Sequence, residues 1–455
     1  MRERADEKGK ERALAAPTTR RSIAGFAVAD RSDAAARLHM FLSLGFLVLA
    51  GGLTLLASLK LSYPAFLDTS GFFSYGRLAP MALTSAVFGW LTFANLAAVY
   101  YLLPRLTGAR LWNEPAAIVA GALGAIVTLA GVIGIGLGFT DGLPLAEFYW
   151  PVDLVLIALY LVPLAIAMMT LRDRTEEGMY ISLWYILAGL IWLPGLMIAG
   201  NIPGAGAVGG AIQNSFFVSA LLGQWAVGLG IGAVYYVIPK ATGNPLFSRP
   251  LALAGFWSLA FAQLWTGPAQ LIFGPASDWI ETIAVVFAFG LIVPALAVLA
   301  NFVGTMSGSW GLLAERADLR FGVAGAVAVA FFALVTGVGG FRSVSAVVGL
   351  TPFEAGTRYA LVFIAASLLS SSFLYHAFPR VLGRQLFSPG LATAHLRLTL
   401  WGGGTTVLLF WLAGIASGYT WLGGAVTGSI PPVGETFVTT LDTVAIFYRL
   451  SVLTA

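Results

Sequence analysis

The sequence predicts an all-α polytopic membrane bundle of about 12 transmembrane helices. Its composition is the first reason, since 58% of the residues are hydrophobic and 10% are charged, a balance that soluble domains do not have. Its apolar runs are the second reason, because segments of about 20 apolar residues, long enough to cross the hydrocarbon of a bilayer, recur about twelve times. The third reason is a motif that returns three times at nearly equal spacing and divides the helices into three arcs of four.

The apolar runs separate one domain from a polar tail. The predicted spans are 38–60, 80–103, 115–138, 149–171, 180–200, 214–238, 250–273, 279–303, 321–340, 356–379, 395–418 and 434–453. Residues 1–36 mix Arg, Lys, Glu and Asp with Ala and Pro, a composition that predicts a disordered cytoplasmic tail. The tail lacks the apolar core and the small-residue cleavage site of a signal peptide. Residues 37–455 are therefore predicted to form a single transmembrane domain.

Loop charge predicts the orientation of the chain. Lys and Arg occur in the tail and in alternate loops, and the intervening loops 139–149, 200–213, 274–278 and 418–432 have none. The basic residues that depart from this alternation are Lys60, Arg77, Arg342 and Arg358. The positive-inside rule then places both termini in the cytoplasm of a bacterial or archaeal cell, with the chain in its plasma membrane. The net charge of +4 belongs to these loops, so it does not indicate binding to nucleic acid. The absence of Cys excludes disulfides, thiolate metal sites and Cys nucleophiles.

The repeated motif joins aromatic residues to a Pro, a basic residue and a Gly. It begins at Tyr100 as Tyr-Tyr-Leu-Leu-Pro-Arg-Leu-Thr-Gly, and it returns at Tyr235 as Tyr-Tyr-Val-Ile-Pro-Lys-Ala-Thr-Gly and at Tyr375 as Tyr-His-Ala-Phe-Pro-Arg-Val-Leu-Gly. The copies lie 135 and then 140 residues apart, which is about four helices each. A single copy would be an ordinary signal for a helix leaving the membrane, but three evenly spaced copies favour true internal repetition.

Several motifs carry a resemblance to a known family. Residues 223–228 read Gly-Gln-Trp-Ala-Val-Gly and residues 265–271 read Trp-Thr-Gly-Pro-Ala-Gln-Leu, with Gly-Arg-Leu-Ala-Pro at 76–80 and Thr-Met-Ser-Gly-Ser-Trp at 305–310. In their order and spacing they resemble the catalytic subunit I of the heme-copper oxidases, specifically of the C-type (cbb-type) cytochrome c oxidases, which are close to the nitric oxide reductases. This resemblance covers the whole membrane region and implies a core of twelve helices with a pseudo-threefold layout.

The resemblance also implies where heme and copper ligands would lie, and other residues occupy those positions. The family motifs read Gly-His-Asn-Ala-Val-Gly and Trp-Ala-Gly-Pro-His-His-Leu. The positions implied for the ligands hold Ala82, Gln224, Ala269, Gln270, and Thr357 and Tyr359. Low-spin heme needs two axial ligands and the copper of this family is held by imidazoles, so we expect no heme or copper cofactor. Gln224 and Gln270 are expected to bond each other or the backbone, and Trp225, Trp257 and Trp265 to fill volume that hemes occupy in the family.

The remaining candidates each have an ordinary interpretation. His39, His376 and His395 are predicted near cytoplasmic helix ends, where interfacial histidines are more common than a relocated heme or metal site. Asp442 lies within the last span, and an ionisable residue there is a functional candidate, although an outer-end carboxylate that reaches water through a short loop is the favoured interpretation. With Gln224 and Gln270 it is the candidate proton or ion site.

Three hypotheses for function follow. The first is a non-catalytic structural or assembly subunit of a respiratory terminal oxidase or related electron-transfer complex, whose partners are membrane lipid and other membrane subunits. The second is a transporter or channel that uses the emptied interior for protons, ions or a small solute. The third is a working cytochrome c oxidase subunit I with unusual ligands.

Overall fold

The computed structural model describes residues 33–202, 206–426 and 433–454. The described chain is helical almost throughout. Its long helices are α1 (Ala34–Ser62), α2 (Tyr75–Thr107), α3 (Glu114–Leu137), α4 (Trp150–Arg172), α5 (Ile181–Asn201), α6 (Gly206–Thr242), α7 (Arg249–Ala262), α8 (Asp278–Thr305), α9 (Ala317–Gly339), α10 (Pro352–Leu382), α11 (Pro389–Thr420, helical as far as Val426) and α12 (Val433–Thr454). Every predicted span coincides with one of these helices, so the all-α membrane bundle is confirmed.

Ten of the described helices are long and apolar enough to cross a membrane. The two others are α7, which continues as short 3-10 turns at Gln263–Trp265 and Gly267–Gln270, and α12. Between α3 and α4 lies an antiparallel hairpin of β1 (Thr140–Leu143) and β2 (Ala146–Phe148). Further short helices are Gly71–Phe73, Trp310–Ala314 and Arg342–Val348.

The boundary of the N-terminal tail differs slightly from the prediction. Helix α1 begins at Ala34, and Asp33 before it accepts two hydrogen bonds from the Arg105 guanidinium, at 2.7 and 2.8 Å. A paired carboxylate fixes this residue at the end of the bundle, so residues 33–36 belong to the folded domain. The other residues of the predicted tail, 1–32, lie outside the described residues.

Helices α2, α6 and α10 form the centre of the bundle. Their most apolar segments are 100%, 89% and 78% buried, whereas those of the other candidate spans are 22–56% buried. These are the helices that carry the three copies of the sequence motif. The outer helices present apolar side chains to the surroundings, as a lipid-facing surface requires.

The three central helices share two further features. Each contains a π-helical turn in its middle, at Ser85–Leu91, Leu221–Val227 and Ala360–Ala366. Each ends at a glycine in the left-handed conformation, Gly108, Gly243 or Gly383, with φ of 68°, 76° and 63°, which a residue without Cβ adopts most easily. The internal repetition predicted from the motif is therefore also a repetition of local backbone structure. We call the end of the bundle with Arg105, Lys240 and Arg380 the basic face, and the other end the opposite face.

Candidate functional site

Hydrogen bonds between the central helices close the centre of the bundle. Their two indole donors hold equivalent positions in two repeats, and so do their two hydroxyl acceptors. Trp90 of α2 donates its indole N–H to Ser367 Oγ of α10 at 2.8 Å. Trp225 of α6 occupies the equivalent position in the second repeat and donates to Thr92 Oγ1 of α2 at 2.9 Å. Both indole side chains are at most 1% exposed. A buried indole N–H needs an acceptor, and in both cases a hydroxyl from the neighbouring repeat supplies it.

The same hydroxyls also support the π-helical turns. Thr92 Oγ1 donates to Val87 O at 2.9 Å, and Ser367 Oγ donates to Val362 O at 2.8 Å. A π-helical turn alters the regular ladder of backbone bonds, and in α2 and α10 a hydroxyl satisfies one of its carbonyls. Asn95 adds a bond from its side-chain amide to Trp225 O at 3.0 Å.

The third repeat lacks the corresponding pair. In the third repeat, Ala365 holds the position of Trp90 and Trp225. In the second repeat, Val227 holds the position of Thr92 and Ser367. Neither side chain carries a hydrogen-bonding group, so the junction between α10 and α6 has no bond of this kind.

A cavity opens beside this third junction. It is enclosed by α6, α7, α8, α9 and α10, contains about 1300 Å³ of space between atoms, part of it open to the surroundings, and has Val227 in its wall. Its polar lining comes from the halves of the helices toward the opposite face; these residues are Ser219, Gln263, Thr266, Gln270, Thr336, Ser345, Glu354, Thr357 and Arg358. Deeper in the bundle its walls are apolar.

Gln263 organises the polar end of the cavity. Its Nε2 donates to Ser219 O at 2.9 Å and to Ser219 Oγ at 2.8 Å. Gly223 permits this approach, since a Cβ at that position would lie 2.1 Å from Gln263 Cδ. Gln263 and Ser219 therefore form a prearranged pair of neutral amide and hydroxyl groups at the polar end.

Two of the positions implied for copper ligands line this cavity, and the third, Gln224, follows Gly223 of its wall. Gln224 is fully buried; its Nε2 donates to Ala260 O at 3.0 Å, and its Oε1 has no hydrogen-bond partner. Ala269 and Gln270 line the cavity. Gln224 therefore bonds the backbone, one of the two expected arrangements, and no bond joins it to Gln270 among the described residues.

The positions implied for heme ligands are likewise engaged in packing. Ala82 is buried in α2. Thr357 donates to Phe353 O at 3.0 Å and accepts from Trp411 Nε1 at 3.1 Å, and the Tyr359 ring lies 4.7 Å from that of Phe363. Across the part of the chain that the structure describes, no group of three or more His, Asp or Glu residues is placed to hold a metal.

His39 and His395 are held by neighbours away from the cavity. His39 is 1% exposed, its Nδ1 lies 2.8 Å from Ala35 O, and its ring packs 4.8 Å from Tyr100. His395 Nδ1 lies 3.1 Å from the Tyr375 hydroxyl. His39 is thus a core residue rather than the interfacial residue that the sequence favoured.

His376 belongs to a buried ionic group that the sequence did not reveal. Its Nδ1 lies 2.9 Å from Asp318 Oδ2, and Arg316 binds both oxygens of the same carboxylate at 2.6 and 3.1 Å. Asp318 and Arg316 come from the start of α9, so no spacing within one helix could have indicated them. His376 also takes the repeat position of Tyr101 and Tyr236, and its ring lies 5.9 Å from that of Tyr236.

Asp442 and two of the three tryptophans lie on the outside of the bundle. Asp442 is exposed on α12, on a different part of the bundle from Gln224 and Gln270, so the structure does not bring the three together. Of the three tryptophans expected to fill volume that hemes occupy in the family, Trp225 is fully buried. Trp257 and Trp265 are 57% and 38% exposed and face outward, so the expectation is wrong for these two.

The chain was compared with known proteins. The family model described as Cytochrome C and Quinol oxidase polypeptide I matches residues 34–455. The cbb3-type cytochrome c oxidase subunit CcoN1 of Stutzerimonas stutzeri is 27% identical over 385 residues, which are 81% of this chain and 80% of that protein. A cytochrome c oxidase subunit 1 homolog of Agrobacterium tumefaciens (strain T37) is 29% identical over 400 residues, 83% of this chain and 71% of that protein.

A solved structure gives the same fold. A chain of a heme-copper terminal oxidase dimer superimposes with a TM-score of 0.66 at 16% identity, covering 93% of this chain and 84% of that chain. The match of the family model to residues 34–455 covers nearly the whole protein. The chain is therefore a heme-copper oxidase subunit I-like membrane protein, and it belongs to the Cytochrome C and Quinol oxidase polypeptide I family.

Proposed function

We propose that this protein is a non-catalytic member of its family that binds neither heme nor copper, and that it serves as a structural or assembly subunit of a respiratory membrane complex. The observation that carries the proposal is the position of its three histidines. Each contacts a partner outside the cavity, namely Ala35, Asp318 or Tyr375.

The chemistry of the family's cofactors supports this proposal. The family normally binds heme and copper, and both need side-chain donor atoms at fixed positions. The methyl groups of Ala82 and Ala269 carry no donor atom. Gln224 offers an amide whose nitrogen already bonds Ala260 O, and an amide oxygen is a poor substitute for imidazole. The residues at the implied ligand positions therefore do not fit either group.

The closed centre of the bundle supports a structural role. Trp90 and Trp225 tie the first repeat to the other two through buried hydrogen bonds. A subunit whose interior is held in this way keeps the family's outer shape without its cofactors. It could then present the family's lipid-facing and subunit-facing surfaces in a bacterial plasma membrane, with both termini in the cytoplasm.

A spectrum of the purified chain tests the absence of cofactors. We expect the reduced-minus-oxidised visible spectrum, the pyridine hemochrome assay and elemental analysis to give no heme and no copper at stoichiometric levels. A relative with intact ligand motifs, purified in the same way, is the positive control. Stoichiometric heme would instead support the third hypothesis, an active oxidase subunit, which the names of the relatives favour.

Co-purification tests the assembly role. The tagged chain, extracted from its native membrane in mild detergent, is expected to bring down other membrane subunits of a respiratory complex. Its deletion is expected to lower the amount of that complex rather than the specific activity of what remains. Unchanged complex levels in the deletion strain would contradict the proposal.

A transporter or channel is the alternative function, and the cavity with its polar end is the observation behind it. In proteoliposomes, this alternative predicts a flux of protons or another ion that Asp442→Asn, or a Leu at Gln224 or Gln270, reduces. The structural role predicts no flux above that of empty liposomes.

A further inference from the structure

The cavity has a positively charged side chain, that of Arg358, at its polar end. Arg358 lies in the second turn of α10 and lines the cavity. It interacts electrostatically with Glu354 and Glu147, but within the described ranges it has no hydrogen bond and no carboxylate at ion-pair distance. A charged side chain within a membrane span that faces a cavity marks a ligand path or binding site.

Arg342 shows that this arrangement is particular to Arg358. Both arginines interrupt the alternation of basic loops in the same region of the sequence. Arg342 is half exposed and pairs with Asp278 at 3.2 Å and Glu281 at 3.7 Å, so its charge is compensated at the surface. Arg358 instead directs its charge to a partly buried space.

The rest of the cavity is suited to a long apolar chain. From Arg358 the space extends between α6, α8 and α9, where the lining residues are Val227, Ile231, Leu291, Val298, Val329 and Ala333. An apolar wall with a few polar groups at one end is the usual form of a site for an amphipathic molecule.

We propose that this cavity binds a long-chain amphipathic anion, with its carboxylate or phosphate head at Arg358 and its chain between α6, α8 and α9. A guanidinium binds either head through paired N–H donors, and Gln270 adds an amide at the same end. Glu354 also lines the cavity, but its Oε1 accepts from Leu350 N at 3.1 Å, which directs this oxygen toward the loop.

Binding of defined amphiphiles to the full-length protein in detergent tests the proposal. Oleate, oleyl alcohol and phosphatidylglycerol are the probes, because they separate the charge of the head from the chain. Arg358→Gln is expected to weaken binding of the anionic probe about ten- to hundredfold, the size of a charge-assisted hydrogen bond, and to leave binding of oleyl alcohol unchanged. Arg342→Gln, the matched control, is expected to bind the anionic probe as the unaltered chain does.

The probes also decide the source of the ligand. Oleate binding without phosphatidylglycerol binding identifies a free fatty acid, and the reverse identifies a phospholipid. Equal anion binding by Arg358→Gln and the unaltered chain would overturn the proposal, as would binding of neither anion. If Arg358→Gln does not fold, Ala333→Leu tests the chain end, because it narrows the apolar wall and is expected to shorten the longest fatty acid that binds. An unchanged preference for chain length would then overturn the proposal.

Discussion

The three junctions between the repeated helices α2, α6 and α10 are built differently. Two of them are closed by an indole that donates to a hydroxyl of the neighbouring repeat, Trp90 to Ser367 and Trp225 to Thr92. The third junction brings together Ala365 and Val227, which have neither a ring nor a hydroxyl. A cavity with Val227 in its wall lies beside this third junction, and none of Trp90, Thr92, Trp225 and Ser367 of the two closed junctions lines it.

The difference indicates that the two closed junctions and the open junction have separate roles in this bundle. The repeat-equivalent Trp90 and Trp225 fill volume, and each donates to a hydroxyl of a neighbouring repeat, so these two junctions are closely packed. At the third junction both the indole ring and the hydroxyl are replaced by small apolar side chains. Space therefore remains there, and neither Ala365 nor Val227 has a polar side-chain atom that needs a partner. The closed junctions are therefore expected to determine stability, and the open junction to determine what the protein binds.

The strongest test of this comparison is Trp225→Ala. Removal of a fully buried indole leaves a cavity and frees Thr92, so we expect the free energy of unfolding to fall by about 3–5 kcal/mol. Unfolding in mixed micelles with increasing denaturing detergent measures it. Trp401→Ala is the control, because this indole is 76% exposed, and it is expected to change stability by less than about 0.5 kcal/mol. If the two substitutions lowered the free energy of unfolding equally, the buried indole at the junction would contribute no more than an exposed one.

A rise in pH is expected to destabilise the chain through a buried carboxyl that contacts the first repeat. Glu147 of β2 accepts from Thr84, the residue before the π-helical turn of α2, at 3.1 Å, and burial raises the pKa of this carboxyl from 4.5 to about 7. Because the pKa of Glu147 is higher in the folded chain than in the unfolded chain, its contribution to stability is fully present below about pH 4.5. This stability is lost as pH rises toward 7, by about 3 kcal/mol in total.

Thermal unfolding between pH 5 and pH 8 measures this effect. Glu147→Gln keeps an acceptor for Thr84 and carries no charge, so the variant is expected to exceed the unaltered chain in stability at pH 8 and to show a flatter profile. Parallel profiles for the two proteins would contradict the assignment of this pH dependence to Glu147.

Much of this architecture could be predicted from the sequence, because it depends on local composition. Apolar runs long enough to cross a bilayer indicated helices α1 to α12, and the motifs at Tyr100, Tyr235 and Tyr375 indicated which three helices are equivalent. Helix ends were less accurate. Prolines can begin a helix before its apolar run starts, which is why α10 and α11 begin at Pro352 and Pro389.

The contacts between repeats could not be predicted in the same way. Trp90 and Ser367 are 277 residues apart, more than half the chain, and no local pattern records which indole meets which hydroxyl. The repeat spacing did hold a usable signal, since Trp90 and Trp225 are 135 residues apart like the motifs. The hydrogen bond between His376 and Asp318 had no such signal, because it joins two different helices.

Trp90→Phe removes the indole N–H of a closed junction and part of its bulk. Both the hydrogen bond and some packing are lost, so we expect the free energy of unfolding to fall by about 2–3 kcal/mol. A double-mutant cycle with Ser367→Ala measures the coupling, which is expected to be about 0.5–1.5 kcal/mol. Additive effects of the two substitutions would show that the Trp90–Ser367 bond is not a stabilising contact.

The smallest expected effect comes from adding one methylene at the open junction. Val227→Ile extends a side chain that lines the cavity, so its extra carbon has room and stability should change by less than about 0.5 kcal/mol. Val87→Ile is the matched control, because Val87 is fully buried in the π-helical turn of α2, and an extra methylene in a closely packed interior costs about 1–3 kcal/mol. Unfolding of both variants under the same conditions gives the comparison directly. If both substitutions cost the same, the third junction is as tightly packed as the first, and the contrast between closed and open junctions fails.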